Sequence, residues 1–360
     1  MNQHRWEDSS KLQSTSNPAS WHRVEIQSFG GPEVVEVVEE ATMPTPKSDE
    51  VLVRVLATSA CFTDTIVRRG RYVDVPRKVP LTLGYDFVGV VEAVGSDATG
   101  FQVGDRVADL TMIGSNATYL CRPANSVVPV PKNVDPAEAV SMVLTYVTAY
   151  QMLHRIAKVQ PGERILVHGG GGAVGSALLE LGELLQLEMI ATSTSKHHDA
   201  IQQRGATPID YSAVDVKSAV MELTDGEGVD AVFDFLSLEH FKMSASVLRK
   251  GGRLVEYGLH GFAKGQGTLF QGISAWIRMG LWNKWTNLLP NGKSTSFYSI
   301  TLFRKKSPSY FIEDMQTLLQ WLAEKKLQPL VSARMPLLEA RQAHEMMEQG
   351  GVAGKIVLLP

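Results

Sequence analysis

The sequence predicts an α/β protein in which a doubly wound parallel sheet is accompanied by a smaller β-barrel domain. The first reason is that strand-like and helix-like segments alternate from residue 164 to residue 258, as in βαβ units on a parallel sheet. The second is a glycine run, Gly169 to Gly172, between the first strand of that region and its helix. The third is that the chain before residue 110 is rich in short strands separated by turns.

The N-terminal residues are polar, with serine, asparagine and glutamine dominating. They lack the apolar core of a secretory signal, so we expect residues 1–20 to form a disordered tail. Strand-like runs follow at residues 34–38, 51–55 and 87–91, separated by turn signals such as Gly104-Asp105. Short strands that pair over long sequence distances are typical of a compact barrel.

The central region carries the parallel sheet. A helix is predicted from Pro136 to Val159, and alternating elements follow it. The predicted strands are Arg164–His168, Glu188–Thr192, Pro208–Tyr211, Val229–Phe235 and Arg253–Gly258. The predicted helices lie near residues 173–186, 197–204, 214–223 and 239–249. A sixth strand, Phe297 to Phe303, is expected to complete the sheet.

A tryptophan-rich segment, residues 261–292, precedes that sixth strand. Trp276, Trp282 and Trp285 recur with aliphatic residues at helical spacing, which predicts an amphipathic helix. We interpret it as a helix that packs on the core or covers a cleft. A dimer contact or a membrane-surface contact is the alternative.

The C-terminal region returns to mixed elements: a helix with apolar spacing around Phe311 and Leu322, a short strand near Leu330, a second helix and a closing strand, Lys355–Leu359. We expect it to complete the β-rich domain. The predicted domains are therefore residues 21–140 together with 306–360, and an inserted nucleotide-binding domain, residues 141–305.

Composition excludes several classes of protein. The net charge is -3, so no broad basic field indicates nucleic-acid binding. No apolar stretch reaches the roughly 20 residues of a membrane span. The chain has two cysteines, Cys61 and Cys121, which cannot build a disulfide framework or a four-cysteine zinc lobe. We expect a cytoplasmic protein without an integral membrane segment.

The glycine run predicts a dinucleotide site. Gly170, Gly172 and Gly175 satisfy the G-x-G-x-x-G spacing after a buried-type strand and before a helix. Such glycines allow a tight turn, a close approach of the pyrophosphate to the backbone, and close helix–strand packing, while the helix N-terminus faces the phosphates.

The end of the second strand predicts which dinucleotide is bound. NAD sites usually carry an acid about 20 residues after the glycines. Here the chain reads Thr192-Ser193-Thr194-Ser195-Lys196, which offers hydroxyls and a cation. These groups suit a 2′-phosphate. We therefore predict NADPH, recognised by Ser193 and Lys196.

Several motifs in order resemble the medium-chain dehydrogenase/reductase superfamily, and its zinc-free quinone oxidoreductase branch in particular, including vesicle amine transport protein-like and enoyl reductase-like members. The resemblance covers about residues 22–360. The motifs are Gly30-Gly31-Pro32-Glu33, the stretch from Gly84 to Gly95, Gly104-Asp105-Arg106-Val107, Pro161-Gly162-Glu163, Ser195-Lys196-His197 and Pro208-Ile209-Asp210-Tyr211. It implies a chaperonin-10-like barrel domain and a Rossmann domain.

The resemblance also bears on metal binding. Zinc-dependent relatives use a cysteine, then a Gly-His-Glu element, and Cys61 stands at the first position. The second element reads Gly84-Tyr85-Asp86, without the histidine. A catalytic zinc needs three protein ligands, and Cys61 and Asp86 would supply two. We therefore predict that no metal is bound, and that the reaction is hydride transfer to a quinone or to the C=C of an α,β-unsaturated carbonyl.

The resemblance further suggests roles for single residues. Tyr72 resembles the tyrosine that enoyl reductases of this branch use as a proton donor, with packing as the alternative role. Asp64 and Cys61 complete the candidate catalytic set, Asp64 as an orienting group and Cys61 as a wall residue. Thr148 resembles a threonine near the nicotinamide. The expected cofactor-binding residues are Thr148, Gly170, Gly171, Gly172, Ala173, Val174, Gly175, Ser193, Lys196, Tyr211 and Gly258.

Three functions stay open from the sequence. The first is the NADPH-dependent, zinc-independent reductase of a small quinone or unsaturated carbonyl. The second is a cofactor-binding protein of the same fold with little or no turnover. The third is a domain acting in polyketide biosynthesis, although no carrier-protein segment supports it. Because relatives commonly dimerise through the last strand of the Rossmann sheet, here Phe297–Phe303, we expect a homodimer.

Overall fold

The structure is a computed structural model that describes residues 20–259, 269–350 and 352–360, without the side chains of 269–273. The predicted disordered tail, residues 1–20, lies outside these ranges except for Ser20. The described strands are β1 Trp21–Ile26, β2 Val35–Glu40, β3 Glu50–Ala60, β4 Leu81–Thr82, β5 Asp86–Val94, β6 Arg106–Leu110, β7 Tyr119–Pro123, β8 Val128–Pro129, β9 Arg164–His168, β10 Glu188–Ser193, β11 Ala206–Asp210, β12 Val229–Asp234, β13 Leu248–Glu256, β14 Ser294–Phe297, β15 Val331–Pro336 and β16 Lys355–Leu359.

Helices lie between and beside these strands. The α-helices are α1 Phe62–Arg68, α2 Pro136–Ser141, α3 Val147–Tyr150, α4 Ala173–Leu184, α5 His198–Gln203, α6 Val216–Leu223, α7 Leu238–Ser246, α8 Leu269–Leu288, α9 Ile300–Lys306, α10 Pro308–Ala323 and α11 Ala340–Gln349. Across residues 20–259, 269–350 and 352–360, no helix combines the length and the apolar character that a membrane span requires.

The predicted α/β fold class is confirmed by a parallel sheet of six strands in the order β11-β10-β9-β12-β13-β14. Strands β10 and β12 lie on opposite sides of β9, so the chain connections on the two sides of β9 run in opposite directions along the sheet. Such a switch point opens a crevice at the carboxyl ends of the strands, where ligands bind in doubly wound sheets. The first four predicted strands agree with the observed ones to within two residues, the fifth begins earlier than predicted, at Leu248, and the sixth differs.

The barrel-like region is built from both ends of the chain. A seven-stranded sheet has the order β15-β16-β3-β5-β6-β8, with β7 also paired to β3. Here β16 pairs antiparallel with β3, so that Ile356 lies opposite Ala60. A second sheet, β2-β1-β4, adds three strands. The pairing of β16 with β3 brings the C-terminus to the N-terminal region, whereas the predicted domain boundaries stay a prediction.

The predicted sixth strand, Phe297–Phe303, is wrong beyond its first residue. Strand β14 ends at Phe297, and helix α9 begins at Ile300. The Ser299 hydroxyl accepts a hydrogen bond from the Leu302 N–H, which caps the helix. The aromatic and β-branched residues of this segment favour a strand, but the cap and the burial of Ile300 and Thr301 in the helix override that preference.

The helical segment that begins at Pro136 contains two stretches of π-helix, whose turns are wider than those of an α-helix. The α-helical segments Pro136–Ser141 and Val147–Tyr150 alternate with π-helical segments, Met142–Tyr146 and Gln151–Ala157. The Asp135 carboxylate caps its start by accepting hydrogen bonds from the Ala137 and Glu138 N–H groups. Wide turns of this kind often occur at functional sites, and Thr148, in the α-helical segment between the two, lines the cavity described below.

Two buried carboxylates lie side by side on the parallel sheet. Asp234 at the end of β12 is in register with Glu256 at the end of β13, and both are fully buried. Burial raises the pKa of Glu256 to about 7, a hydrogen bond from Asn283 opposes that shift, and the charge of Asp234 adds to it. The folded protein therefore binds a proton at Glu256 that the unfolded chain releases at lower pH.

This carboxylate should make stability depend on pH. Because the pKa of Glu256 is raised on folding, its stabilising proton is present below the unfolded pKa of 4.5 and is lost as the pH rises through about 7. The loss amounts to about 3 kcal/mol of unfolding free energy. Glu256→Gln should remove this decline, so the variant should match the wild type at pH 4.5 and exceed it at pH 8. Urea unfolding across this range measures the difference, and parallel stability profiles would contradict the assignment.

Candidate active site

A large cavity of about 920 Å³ lies where the glycine turn after β9 meets the barrel-like region. Its lining is mostly apolar and aromatic, with a few polar groups from both sides, which is typical of a small-molecule site. Lining residues from the barrel side include Cys61, Tyr72, Asp74, Tyr85 and Lys355. Those from the parallel-sheet side include Thr148, Gly172, Ala173, Val174, Gly175, Phe235, Tyr257, Gly258, Trp276 and Tyr298.

The glycine turn is shaped as the spacing predicts. Gly169 has a φ of +72°, a left-handed conformation that favours glycine, and Gly172 caps helix α4. A Cβ atom on Gly175 would stand 2.2 Å from the Gly169 carbonyl oxygen, so only glycine lets the helix approach the turn this closely. The residues present therefore fit a pyrophosphate held at the start of α4.

Two of the predicted glycines serve packing and do not line the cavity. A Cβ on Gly170 would meet Ala191 at 2.8 Å, and one on Gly171 would meet the His197 ring at 2.5 Å. Gly172, Ala173, Val174, Gly175, Thr148 and Gly258 do line it. The predicted set thus divides into residues that face the cavity and residues that shape the turn behind it.

The predicted phosphate readers lie outside the cavity, at the ends of β10 and β11. Ser193 is buried, and its hydroxyl donates to the Thr194 carbonyl. Lys196 is exposed in the turn before helix α5. Tyr211, just after β11, is also exposed. The His197 ring lies against Gly171, so this turn adjoins the glycine run.

Sequence reasoning missed an acid beside these readers. Asp210 is in register with Ser193 on the neighbouring strand. Its carboxylate accepts hydrogen bonds from the backbone N–H and the hydroxyl of Ser212, which lower the pKa of Asp210. The Asp210 carboxylate is therefore hydrogen-bonded within its own loop. Asp210 lies on β11, whereas sequence reasoning considered an acid only at the end of β10, so the pairing of the two strands was needed to find it.

Two tyrosines meet in the cavity wall. The Tyr72 and Tyr85 hydroxyl oxygens lie 2.6 Å apart, and both rings line the cavity. Burial raises the pKa of Tyr72 to about 12 and that of Tyr85 further, so both phenols stay protonated near neutral pH. Sequence reasoning selected Tyr72 and missed Tyr85, although Tyr85 stands where the histidine of Gly-His-Glu is expected.

A second polar pair lies near Tyr72. The Thr301 hydroxyl donates to the Asp74 carboxylate at 2.5 Å. Thr301 opposes the rise in the pKa of Tyr72, whereas the charge of Asp74 adds to it. Thr301 lies in helix α9, so this pair depends on the helix that replaces the predicted strand.

The other two candidate catalytic residues form a buried corner. The Asp64 carboxylate accepts hydrogen bonds from the Cys61 and Gly84 N–H groups at 2.9 and 3.2 Å. Asp64 is fully buried and is not among the lining residues, and burial raises its pKa to about 6. Cys61 does line the cavity, but burial raises the pKa of its thiol well above the usual range. This geometry favours positioning by Asp64 and a wall role for Cys61.

The second potential metal ligand already has strong partners. Asp86 is fully buried and contacts the Ser59 hydroxyl and the Lys355 ammonium, both at 2.5 Å. An ammonium at this place repels a second cation. Among the described residues, His168, Asp234 and His240 also bring possible metal-ligand atoms within 4.8 Å of one another, outside the cavity lining. These atoms already form hydrogen bonds: His240 with Asp234, and His168 with Thr192 and Ser244.

The chain was compared with known proteins. Residues 204–358 match the family model described as zinc-binding dehydrogenase, and residues 47–132 match that of the alcohol dehydrogenase GroES-like domain. A mouse synaptic vesicle membrane protein VAT-1 homolog-like is 29% identical over 338 residues, 93% of this chain and 80% of that protein. Human quinone oxidoreductase is 29% identical over 340 residues, 93% of this chain and 97% of that protein. The solved structure of a mycobacterial protein complexed with NADPH is 28% identical, with a TM-score of 0.79, covering 95% of this chain and 100% of that one.

Proposed function

The chain belongs to the medium-chain dehydrogenase/reductase superfamily, in its quinone oxidoreductase branch, and we propose that it is an NADPH-dependent, zinc-independent reductase. Its proposed substrate is a quinone or the C=C of an α,β-unsaturated carbonyl. The observation that carries this proposal is one cavity that joins the glycine turn to a protonated tyrosine pair. The proposed dinucleotide is supported by the mycobacterial relative that was solved with NADPH.

The glycine turn and helix α4 would hold the dinucleotide. Gly172, Ala173 and Val174 line the cavity at the helix N-terminus, where backbone N–H groups suit phosphate oxygens. Thr148 and Gly258 line the adjoining wall and would contact the nicotinamide portion. When bound, the reduced nicotinamide supplies a hydride to the substrate.

Tyr72 would bind and protonate the substrate. The far carbon of an enone takes the hydride, and its carbonyl oxygen gains the negative charge. A phenol that stays protonated can donate to that oxygen and then release its proton to it. The net reaction consumes one proton from solvent and gives the saturated carbonyl or the hydroquinone. The apolar wall formed by Phe235 and Trp276 excludes water from the reacting atoms.

A phenol suits this reaction better than the metal alternative. Alcohol oxidation by relatives with zinc relies on a Lewis acid. Here Tyr85 occupies the place of one ligand, and Asp86 is neutralised by Lys355. Metal analysis of the purified protein tests this part of the proposal.

The proposed preference for NADPH rests on Lys196. We expect Lys196→Ala to raise the KM for NADPH about tenfold, because one charge-assisted contact with the 2′-phosphate is worth about 1.5 kcal/mol. The KM for NADH should stay nearly unchanged, since NADH lacks that phosphate. Steady-state kinetics with both cofactors measures the difference.

The control for this variant is Lys242→Ala, which removes an exposed lysine from helix α7. It should change neither KM. An equal rise for NADPH and NADH in Lys196→Ala would contradict the assignment. It would also give weight to Asp210, the acid beside Ser193, as a group that reads the ribose.

The enzyme itself is tested with a panel of quinones, enones and enoyl thioesters, each with NADPH and NADH. Oxidation of NADPH with at least one substrate supports the reductase. Tight NADPH binding without turnover on any of them supports the alternative, a cofactor-binding protein of the same fold.

We also propose a homodimer in which the exposed edge of the parallel sheet, strand β14, joins two copies. Helix α8 lies beside this strand and exposes Ile277, Leu281, Trp285 and Leu288, whereas Trp276 and Met279 line the cavity. One face of the helix, with Trp276 and Met279, therefore covers the cleft. The opposite face leaves apolar side chains exposed. The molar mass in solution tests the dimer.

A further inference from the structure

We propose that Tyr85 is a positioning residue for the reductase reaction: its hydroxyl donates to the Tyr72 oxygen and stabilises the negative charge that Tyr72 acquires when it gives its proton to the substrate. This inference rests on the proposed function. In zinc-dependent relatives a metal stabilises the charge on the substrate oxygen, and here a pair of phenols takes that role. It is carried by the 2.6 Å distance between the hydroxyl oxygens and by the place of both rings in the cavity wall.

The direction of donation follows from the surroundings of the two hydroxyls. Tyr85 is almost fully buried, and its ring meets that of Tyr72 edge to face, with centroids 6.0 Å apart. Tyr72 is half-buried. If Tyr85 donates to Tyr72, the Tyr72 proton is left to be donated to a bound carbonyl. The outer phenol is then the one that contacts the substrate.

The pair also behaves asymmetrically as acids. Tyr85 is almost fully buried, whereas Tyr72 is only half-buried, so a negative charge costs more on Tyr85 than on Tyr72. A phenolate therefore forms more readily on Tyr72, next to a donor that remains protonated. Asp74 opposes that phenolate through its charge, and its carboxylate is occupied by Thr301.

The hydride and the proton reach different atoms of the substrate. A hydride reaches the far carbon of the substrate, and the electron pair of the C=C moves to make an enolate oxygen. That oxygen takes the Tyr72 proton, so an O–H bond breaks on Tyr72 and one forms on the substrate. The resulting enol then becomes the saturated carbonyl when its α carbon takes a proton from solvent and its hydroxyl returns one. The Tyr72 phenolate is held by the Tyr85 hydroxyl until a proton from solvent restores it. For a quinone, the same proton gives one hydroxyl of the hydroquinone.

Binding of 4-nitrophenol tests the pair without any turnover. Its phenolate mimics the enolate oxygen, and its visible absorbance reports which form is bound. We expect wild-type protein to bind the phenolate in preference, so that the pKa of the bound nitrophenol falls below its value in water. Tyr72→Phe and Tyr85→Phe should each reduce the preference for phenolate about tenfold, an effect of one hydrogen bond to a charged group. Tyr119→Phe, a phenol outside the cavity lining, is the control.

Kinetics provide the second arm. Tyr85→Phe should lower kcat about tenfold while the Kd for NADPH stays unchanged, and Tyr72→Phe/Tyr85→Phe should be no slower than Tyr72→Phe alone, because both changes act on one step. An unchanged nitrophenol equilibrium in Tyr85→Phe, or no binding of nitrophenolate by the wild type, overturns the inference even if the protein is a reductase. A wild type that selects nitrophenolate but reduces no substrate instead refutes the proposed function and leaves the tyrosine pair standing.

Discussion

Gly175→Ala is expected to abolish most NADPH binding while leaving the protein folded. The new methyl group would stand 2.2 Å from the Gly169 carbonyl oxygen and 2.9 Å from the Gly170 Cα, both backbone atoms that cannot rotate away. Helix α4 must then move outward from the turn. Overpacking of this kind costs about 1–3 kcal/mol of unfolding free energy.

The larger effect is expected on the cofactor. An outward movement withdraws the N-terminal N–H groups of α4 from the phosphates, and each lost hydrogen bond to a charged group costs about 1.5–3 kcal/mol. The Kd for NADPH should therefore rise about 10- to 100-fold. Titration by quenching of protein fluorescence measures it, with urea unfolding to confirm that the variant folds.

Gly280→Ala is the matched control, because Gly280 lies in helix α8 with open space around its Cβ position. Alanine favours a helix over glycine, so stability should stay equal or rise slightly. A Gly175→Ala variant that binds NADPH as tightly as Gly280→Ala would show that the turn does not hold the pyrophosphate.

Tyr72→Phe should reduce kcat on an enone at least about tenfold, the modest loss expected when one general acid is removed. The ring remains, so packing against the cavity wall and the Kd for NADPH should change little. The raised pKa of Tyr72, about 12, adds a pH test. Since the phenol stays protonated well below that value, the ratio of kcat between wild type and Tyr72→Phe should be constant from pH 6 to pH 9. The pH profile of kcat should show no ionisation of Tyr72 in that range.

The measurement is kcat for wild type and variant across that pH range with saturating NADPH. Tyr119→Phe is the matched control, because it removes a phenol hydroxyl outside the cavity lining. Wild-type rates in Tyr72→Phe would assign Tyr72 to packing, which is its alternative role.

The positions of the secondary-structure elements were largely predictable, because they depend on local patterns. Strands β9 to β12 carry apolar runs bounded by turn signals, and their observed ends agree closely with the predicted ones. The exception at Ile300 is instructive. Phe297 to Phe303 has strong strand-forming residues, yet the Ser299 cap and a buried helical face decide in favour of α9. Propensity is a weak preference that tertiary packing overrides.

The candidate site was predictable only in part, because its groups meet through long-range contacts. Tyr72 was selected from its motif, but Thr301, which affects the pKa of Tyr72, lies more than 200 residues away in the chain. Asp210 was missed because it reaches Ser193 across a strand pair. Lys355 meets Asp86 only because β16 joins β3 near its end.

What the sequence determined by itself is the place and shape of the glycine turn. Its spacing depends on a few neighbouring residues whose backbone angles and Cβ clashes are local. What only the tertiary structure decided is which polar groups face one another across the cavity: Tyr72 with Tyr85, and Asp86 with Lys355. Those pairings depend on how sheets and helices pack, and packing is set by contacts between segments far apart in the chain, which no local pattern encodes.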